Sequence, residues 1–245
     1  MRNNFSDIFS GLLKAAASKG EQGELVRRSL ALKGEEYIYQ IYLPPQIRNG
    51  GEKLPLIIFL HGIRERGSGG FINGMFATVV RQYLRELPAV VLLPQCRPGK
   101  YWSDPQMDEM VIRQMEEAIS EYGVDEKRIY LLGVSMGGYG VWHFAAGYPE
   151  RFAALVSICG GSPLTTGDRF SPIAEKVGRT PAWLFHGADD QVVQVSESRN
   201  LAAALQARDG RVRYSEYPGV GHNVWLNALA ERELLPWLLA QKLER

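Results

Sequence analysis

The chain has 245 residues, 45% of them hydrophobic and 22% charged, with a formal net charge of +1. One substantial core is within reach of that length. Without a basic excess or a charged tail, nucleic acid is not an expected partner. No run is long and apolar enough for a membrane span, and two cysteines far apart, Cys96 and Cys159, suggest neither a disulfide framework nor a metal cluster.

Residues 1–24 read as an amphipathic segment, with Phe5, Ile8, Phe9, Leu12 and Leu13 on one helical face. Asp7, Ser10 and Lys14 interrupt it, so it lacks the continuous apolar core of a secretory leader and the default location is cytoplasmic. It either packs on its own domain or docks on a partner. Leu25–Leu32 and Glu36–Leu43 read as strands joined by Lys33-Gly34, the alternation of Tyr37, Tyr39 and Ile41 predicting a half-exposed antiparallel hairpin. Pro44-Pro45 and Asn49-Gly50-Gly51 mark a connection.

From there the pattern is one of continuous apolar runs. Leu56–Leu60 ends in His61-Gly62, Ala89–Leu93 ends at Pro94, and Ile129–Leu132 ends in a glycine-rich turn. Ala153–Ile158 ends near Gly160-Gly161, Ala182–Phe185 ends in His186-Gly187, and Arg213–Tyr217 ends at Pro218-Gly219. Helical periodicities cover Phe76–Leu87, Met107–Tyr122, Gly138–Ala146, Val195–Ala207 and Asn223–Leu239, with Pro236 expected to kink or split the last. Strands alternating with helices predict an α/β fold: one domain over residues 25–245, a mostly parallel sheet with helices on both faces.

Ligands of such sheets bind beyond the carboxyl ends of the strands, and that is where the reactive residue types fall. Gly133-Val-Ser-Met-Gly137, between a strand and a helix, has the form of a nucleophile elbow with Ser135 at its apex. Side chains at 133 or 137 would collide with the neighbouring strand and helix. The rival reading, a dinucleotide-binding loop, lacks the G-x-G-x-x-G spacing. A serine nucleophile needs a base and an acid that holds the base. The acid follows a strand in Asp189-Asp190, either of which would serve; the base is His222, on a glycine-rich loop after the last strand. Of the other histidines, His61 and His186 read as loop supports and His143 as helix packing. Two backbone N–H groups are expected at the oxyanion, from Met136 after the nucleophile and from Ile63 in the loop His61–Arg64.

Taken with Leu60-His-Gly-Ile-Arg-Glu-Arg-Gly67, Pro94-Gln-Cys-Arg-Pro-Gly-Lys-Tyr-Trp102 and His186-Gly-Ala-Asp-Asp190, these motifs resemble the α/β-hydrolase superfamily. More narrowly, the chain is similar to the esterases and peptidases of the phospholipase/carboxylesterase and feruloyl-esterase-like groups. The resemblance implies hydrolysis of a small-molecule carboxylic ester by a catalytic triad, without metal or organic cofactor. It favours Asp190 as the acid, since Gly-x-x-Asp-x-x-Val fits Gly187, Asp190 and Val193. Dienelactone hydrolases, which share much of the pattern, carry cysteine where this chain has Ser135. Amide, lactone or thioester bonds, or a non-catalytic binding role, are the alternatives. Only Gly160–Thr180 separates two strands where many relatives insert a cap, with room for a short helix over Ile173–Val177; an open site for short-chain or aryl esters is therefore expected. Trp102, Trp225 and Phe71 are candidate pocket walls or core residues, and Arg64, Glu65 and Arg66 either brace their loop by salt bridges or bind a charged substrate group. Oligomeric state is not legible.

Overall fold

A computed structural model of the chain describes residues 23–49, 52–70 and 87–244. The amphipathic face at Phe5–Leu13, Phe71 and the helix expected over Phe76–Leu87, apart from Leu87 itself, lie outside the described residues.

Eight strands form one sheet in the order β1-β2-β4-β3-β5-β6-β7-β8. They are β1 (Glu24–Leu32), β2 (Glu35–Leu43), β3 (Leu56–Leu60), β4 (Val90–Leu93), β5 (Ile129–Val134), β6 (Ala154–Ile158), β7 (Ala182–Gly187) and β8 (Val212–Tyr217). β1 pairs antiparallel with β2 and β2 antiparallel with β4; every other pairing is parallel. Lys33 and Gly34 both take positive φ (51° and 81°), the two-residue turn that matches the twist of paired strands.

The apolar runs are continuous because both faces of the sheet are covered. Leu56, Ile58 and Leu60 enter one core with Met107, Met110, Met115, Trp142, Phe144 and Leu201; Ile57 and Phe59 enter the other with Trp183, Phe185, Ala228, Leu234 and Leu238. Helices α1 (Pro105–Tyr122), α2 (Met136–Gly147), α3 (Ser171–Val177) and α4 (Ser196–Gln206) thus cover the first face. The second is covered by α5 (Trp225–Ala230) and α6 (Leu234–Leu239).

Two expectations change. β2 is not half-exposed: it lies between β1 and β4, and from Tyr39 to Tyr42 its side chains are buried on both faces, Gln40 included. The last helix does split, but upstream of Pro236. The break falls between Ala230 and Leu234, leaving Pro236 in the first turn of α6, where its missing N–H costs no hydrogen bond and its ring meets no helical carbonyl. Among the described residues there is no cap domain, and Gly160–Thr180 carries only α3. Nor is any described helix long and apolar enough to cross a membrane.

The topology also fixes where a ligand would sit. The chain steps from β3 out to β4, then back across to β5 on the other side of β3. Beyond the carboxyl ends of β3 and β5 the loops diverge and leave a crevice. The loop after Leu60 and the turn after Val134 open side by side there, since Leu60 is paired with Gly133.

Candidate active site

β5 runs two residues further than its apolar run predicts, through Gly133-Val134, and delivers Ser135 at φ 55°, ψ −116°. That backbone shape is unfavourable for a side-chain-bearing residue. It is held by Ser135 N–H donating to Ile158 O (2.8 Å) and by glycines on both sides. A Cβ at Gly133 would overlap the Gly137 carbonyl, and one at Gly137 would overlap that of Leu60. The two flanking glycines therefore answer a packing demand, as their spacing predicts.

His222 reaches Ser135 from the far edge of the sheet. Its loop, after β8, crosses over the end of β7, where Asp189 N–H donates to Val220 O (3.0 Å) and a side chain at Gly187 would overlap Val220 O. His222 Nε2 lies 2.8 Å from Ser135 Oγ and Nδ1 2.7 Å from Asp190 Oδ2. With the ring neutral, Nδ1–H donates to the carboxylate and Nε2 accepts the serine hydroxyl. Asp190 is buried and Asp189 exposed. Asp190 Oδ1 accepts the N–H groups of Val192 (2.8 Å) and Val193 (2.9 Å).

His186, expected as a loop support, braces this carboxylate. Its Nε2 faces both Val193 O (3.0 Å) and Asp190 Oδ2 (3.3 Å), and its Nδ1 accepts the Ser198 hydroxyl (2.7 Å). Burial holds its pKa below the usual histidine value, so the ring stays neutral. His61 does the same for the loop after β3: Nδ1–H donates to Gly62 O (2.6 Å), Nε2 accepts Cys96 N–H (3.0 Å), and its own carbonyl accepts Trp102 Nε1–H (3.0 Å). His143 is more than packing: its Nε2 meets Asp108 Oδ2 at 2.6 Å, while Tyr148 Oη–H donates to Asp108 Oδ1 at 2.5 Å, pinning α2 to α1.

Burial pushes the His61 pKa down to about 4. The unfolded chain then takes up a proton near 6.5 that the folded chain refuses until about 4, so stability is full above 6.5 and is lost as pH falls through that window. Thermal denaturation followed from pH 7 to pH 4 should register a loss on the order of 3 kcal/mol from this group. A flat melting temperature over that range would contradict neutral burial.

Ile63 opens a short 3-10 turn, Ile63–Glu65, and Met136 opens α2. The first N–H groups of a helical segment have no acceptor within it, so both positions carry spare donors next to Ser135. A Cβ at Gly62 would lie 3.7 Å from Ser135 Cβ, which measures how closely the two segments approach.

A cavity of about 580 Å³ opens on the serine. Ile63, Met136, Trp102 and Val192 supply apolar wall, and Tyr101, Tyr139, Thr165 and Arg169 add polar groups. Trp102 is 1% exposed and serves core and wall together. Trp225 is not brought to this cavity; it opens α5 and packs beside the second core. Tyr139, four residues after Ser135 on the same helix face, was within reach of sequence periodicity. Arg169 was not. It is held in the wall by a bidentate pair with Glu197 (2.7 and 2.9 Å) and by Nε–H donation to Leu164 O (2.7 Å). Four large hydrophobic side chains are exposed among the described residues. Ile63, Tyr101 and Val192 line this cavity, and the fourth, Leu164, sits between the lining residues Pro163 and Thr165.

Cys159, Asp190 and His222 form the one described cluster of metal-ligating types, with ligand atoms within 4.8 Å of one another. Burial pushes the Cys159 thiol up to about 12, so it is protonated, and the other two groups are spent on each other. The donor set suits a proton relay better than a cation.

The model of the Phospholipase/Carboxylesterase family matches residues 103–232, more than half of the chain. The chain belongs to this family. Within the α/β-hydrolase fold it is similar to a thermostable esterase of known structure, at 33% identity and a TM-score of 0.76 over 89% of this chain and 63% of that one. The carboxylesterase SOBER1 of Arabidopsis thaliana is 24% identical over 110 residues, 45% of this chain and 47% of that protein. Acetylxylan esterase A of Aspergillus ficuum is 24% identical over 189 residues, 61% of this chain and 60% of that protein. Each match thus spans less than two thirds of the relative's own length.

Proposed function

We propose that this chain is a serine carboxylesterase acting on short-chain or aryl esters, its working domain being residues 25–245. The observation that carries the reading is the unbroken relay from Asp190 through His222 to Ser135, at 2.7 and 2.8 Å. In the first step Ser135 Oγ bonds to the ester carbonyl carbon while its proton passes to His222 Nε2. Asp190 orients the ring and stabilises its positive charge. The carbonyl electrons move onto oxygen, where the Ile63 and Met136 N–H groups receive them. Collapse breaks the bond to the alcohol, which leaves with the His222 proton. Water then gives a proton to His222, attacks the acyl carbon and frees the acid, and the proton returns to Ser135. The scheme needs neither metal nor organic cofactor.

The substrate class follows from cavity size and lining. About 580 Å³ admits a short acyl group with an aryl or alkyl alcohol, and the apolar rim of Ile63, Tyr101, Leu164 and Val192 suits an apolar leaving group. The esterases to which this chain is similar support the same bond type. Across p-nitrophenyl esters from acetate to palmitate, kcat/KM should peak at four carbons or fewer, and fall at least about 100-fold by the long chains, each misfit methylene costing roughly 1 kcal/mol once the pocket is full. A maximum at palmitate would overturn the short-chain assignment. No turnover of any ester by folded protein would move the reading to amide or lactone bonds, or to a binding role.

A further inference from the structure

Glu65 lies in a segment singled out by sequence and has no part in the relay. It is the third residue of the 3-10 turn Ile63–Glu65, whose N-cap is Gly62. Its carboxylate folds back: Oε2 lies 3.2 Å from the point where a Gly62 side chain would begin, and Ser135 Cβ lies 3.7 Å from that same point. Gly62 is therefore held between a carboxylate and the nucleophile. The carboxylate lies against Gly62, beside the backbone N–H groups of Gly62 and of Glu65 itself, and burial raises its pKa. An acid three residues after a cap stands where one half of a capping box is made.

The Gly62 carbonyl is held as well, by Glu65 N–H (3.4 Å) and by His61 Nδ1–H (2.6 Å). In a trans peptide the C=O and the following N–H point in opposite directions, so fixing Gly62 O fixes the direction of Ile63 N–H. Glu65 thus meets Gly62 twice, its carboxylate lying against the residue and its backbone N–H donating to the carbonyl. The outer half of the loop has its own anchors on the segment after β4. Gln95 Nε2 donates to Glu65 O (3.1 Å), Gly67 N–H donates to Cys96 O (2.9 Å), and Arg66 lies over the Tyr101 ring (4.4 Å). Loop attachment is therefore supplied without the Glu65 carboxylate. Glu65 is also absent from the residues lining the cavity, which argues against contact with substrate.

Resting on the serine reading above, we propose that Glu65 is a positioning residue for the oxyanion turn, its carboxylate holding Gly62 so that the Ile63 N–H is preset for the developing charge. The experiment compares wild type, Ser135→Ala, Glu65→Ala, Glu65→Asp and Glu65→Gln on p-nitrophenyl acetate. A methyl trifluoromethyl ketone serves as the oxyanion mimic, since its hemiketal with Ser135 carries the same negative oxygen. Glu65→Ala should lower kcat about 30- to 100-fold with KM within about 2-fold, and weaken the ketone by a similar factor. Glu65→Asp, one methylene too short to reach, should behave alike and keeps the test open if the alanine variant does not fold. Glu65→Gln, whose amide oxygen can occupy the same place against Gly62, should recover to within about 5-fold of wild type. Unchanged kcat and ketone affinity in Glu65→Ala and Glu65→Asp, with or without a lower melting temperature, would overturn the proposal. A loss confined to KM would also overturn it, placing Glu65 against substrate. If Ser135→Ala keeps wild-type turnover, the serine reading itself fails and this proposal with it; an inactive Ser135→Ala beside a normal Glu65→Ala rejects the proposal alone.

Discussion

Ser135→Ala should lower kcat on p-nitrophenyl acetate by about 10⁴- to 10⁶-fold while the protein stays folded. The size of the loss follows from what the hydroxyl does: without Oγ there is no acyl-enzyme, and water must attack a carbonyl that the remaining groups only polarise. The fold has little reason to respond. Ser135 is only partly buried, its backbone N–H still donates to Ile158 O, and alanine meets the same φ of 55° that serine does. Burst kinetics should separate the outcomes, a stoichiometric release of p-nitrophenol from wild type and none from the variant. Turnover within about 10-fold of wild type would reject the acyl-enzyme scheme.

The second large effect is expected at the acid, and it separates two adjacent residues. Asp190→Asn should cost about 10³- to 10⁴-fold in kcat, and Asp189→Asn less than about 3-fold. An amide at 190 can present its oxygen to the N–H groups of Val192 and Val193, which the carboxylate Oδ1 now satisfies. Its NH₂ then faces His222 Nδ1. To accept from it, the imidazole must carry its proton on Nε2, and that proton points at Ser135 Oγ, 2.8 Å away. The base is lost through the wrong tautomer rather than through a missing contact. Asp189 is exposed, and its hydrogen bond to Val220 is made by backbone, which asparagine keeps. The opposite ranking of the two variants would reassign the acid.

Much of this was open to a reader of the sequence, for physical reasons that differ from residue to residue. Ser135 was legible because a tight strand-to-helix turn admits so few residue types at 133 and 137. His222 was legible because it follows a strand and sits among glycines. Asp190 was not distinguishable from Asp189 by composition or periodicity. The distinction lies in which carboxylate receives the N–H groups of a turn that exists only after β7 and the loop beyond it have formed; family resemblance pointed to it in advance. The burial of β2 on both faces was hidden because its neighbour, β4, comes some fifty residues later in the chain, and alternation reports only what a strand does locally. Trp225 looked like a pocket wall because aromatic residues near a base invite that reading, and its place beside the second core depends on where α5 docks. Arg169 could not be anticipated, since its position in the wall depends on Glu197, a partner on another element.

The positive φ at Ser135 carries a consequence for how this protein can change. A lone serine would leave that conformation at once, and relaxation is prevented by two sheet neighbours, a helix start and the cores behind them. The reactive geometry is thus a mechanical load borne by the whole scaffold. Loosening a core residue away from the serine, such as Phe185, should weaken that support. On the serine reading, activity should then fall before the protein unfolds, and sequence change at such core positions is felt at Ser135 through the scaffold.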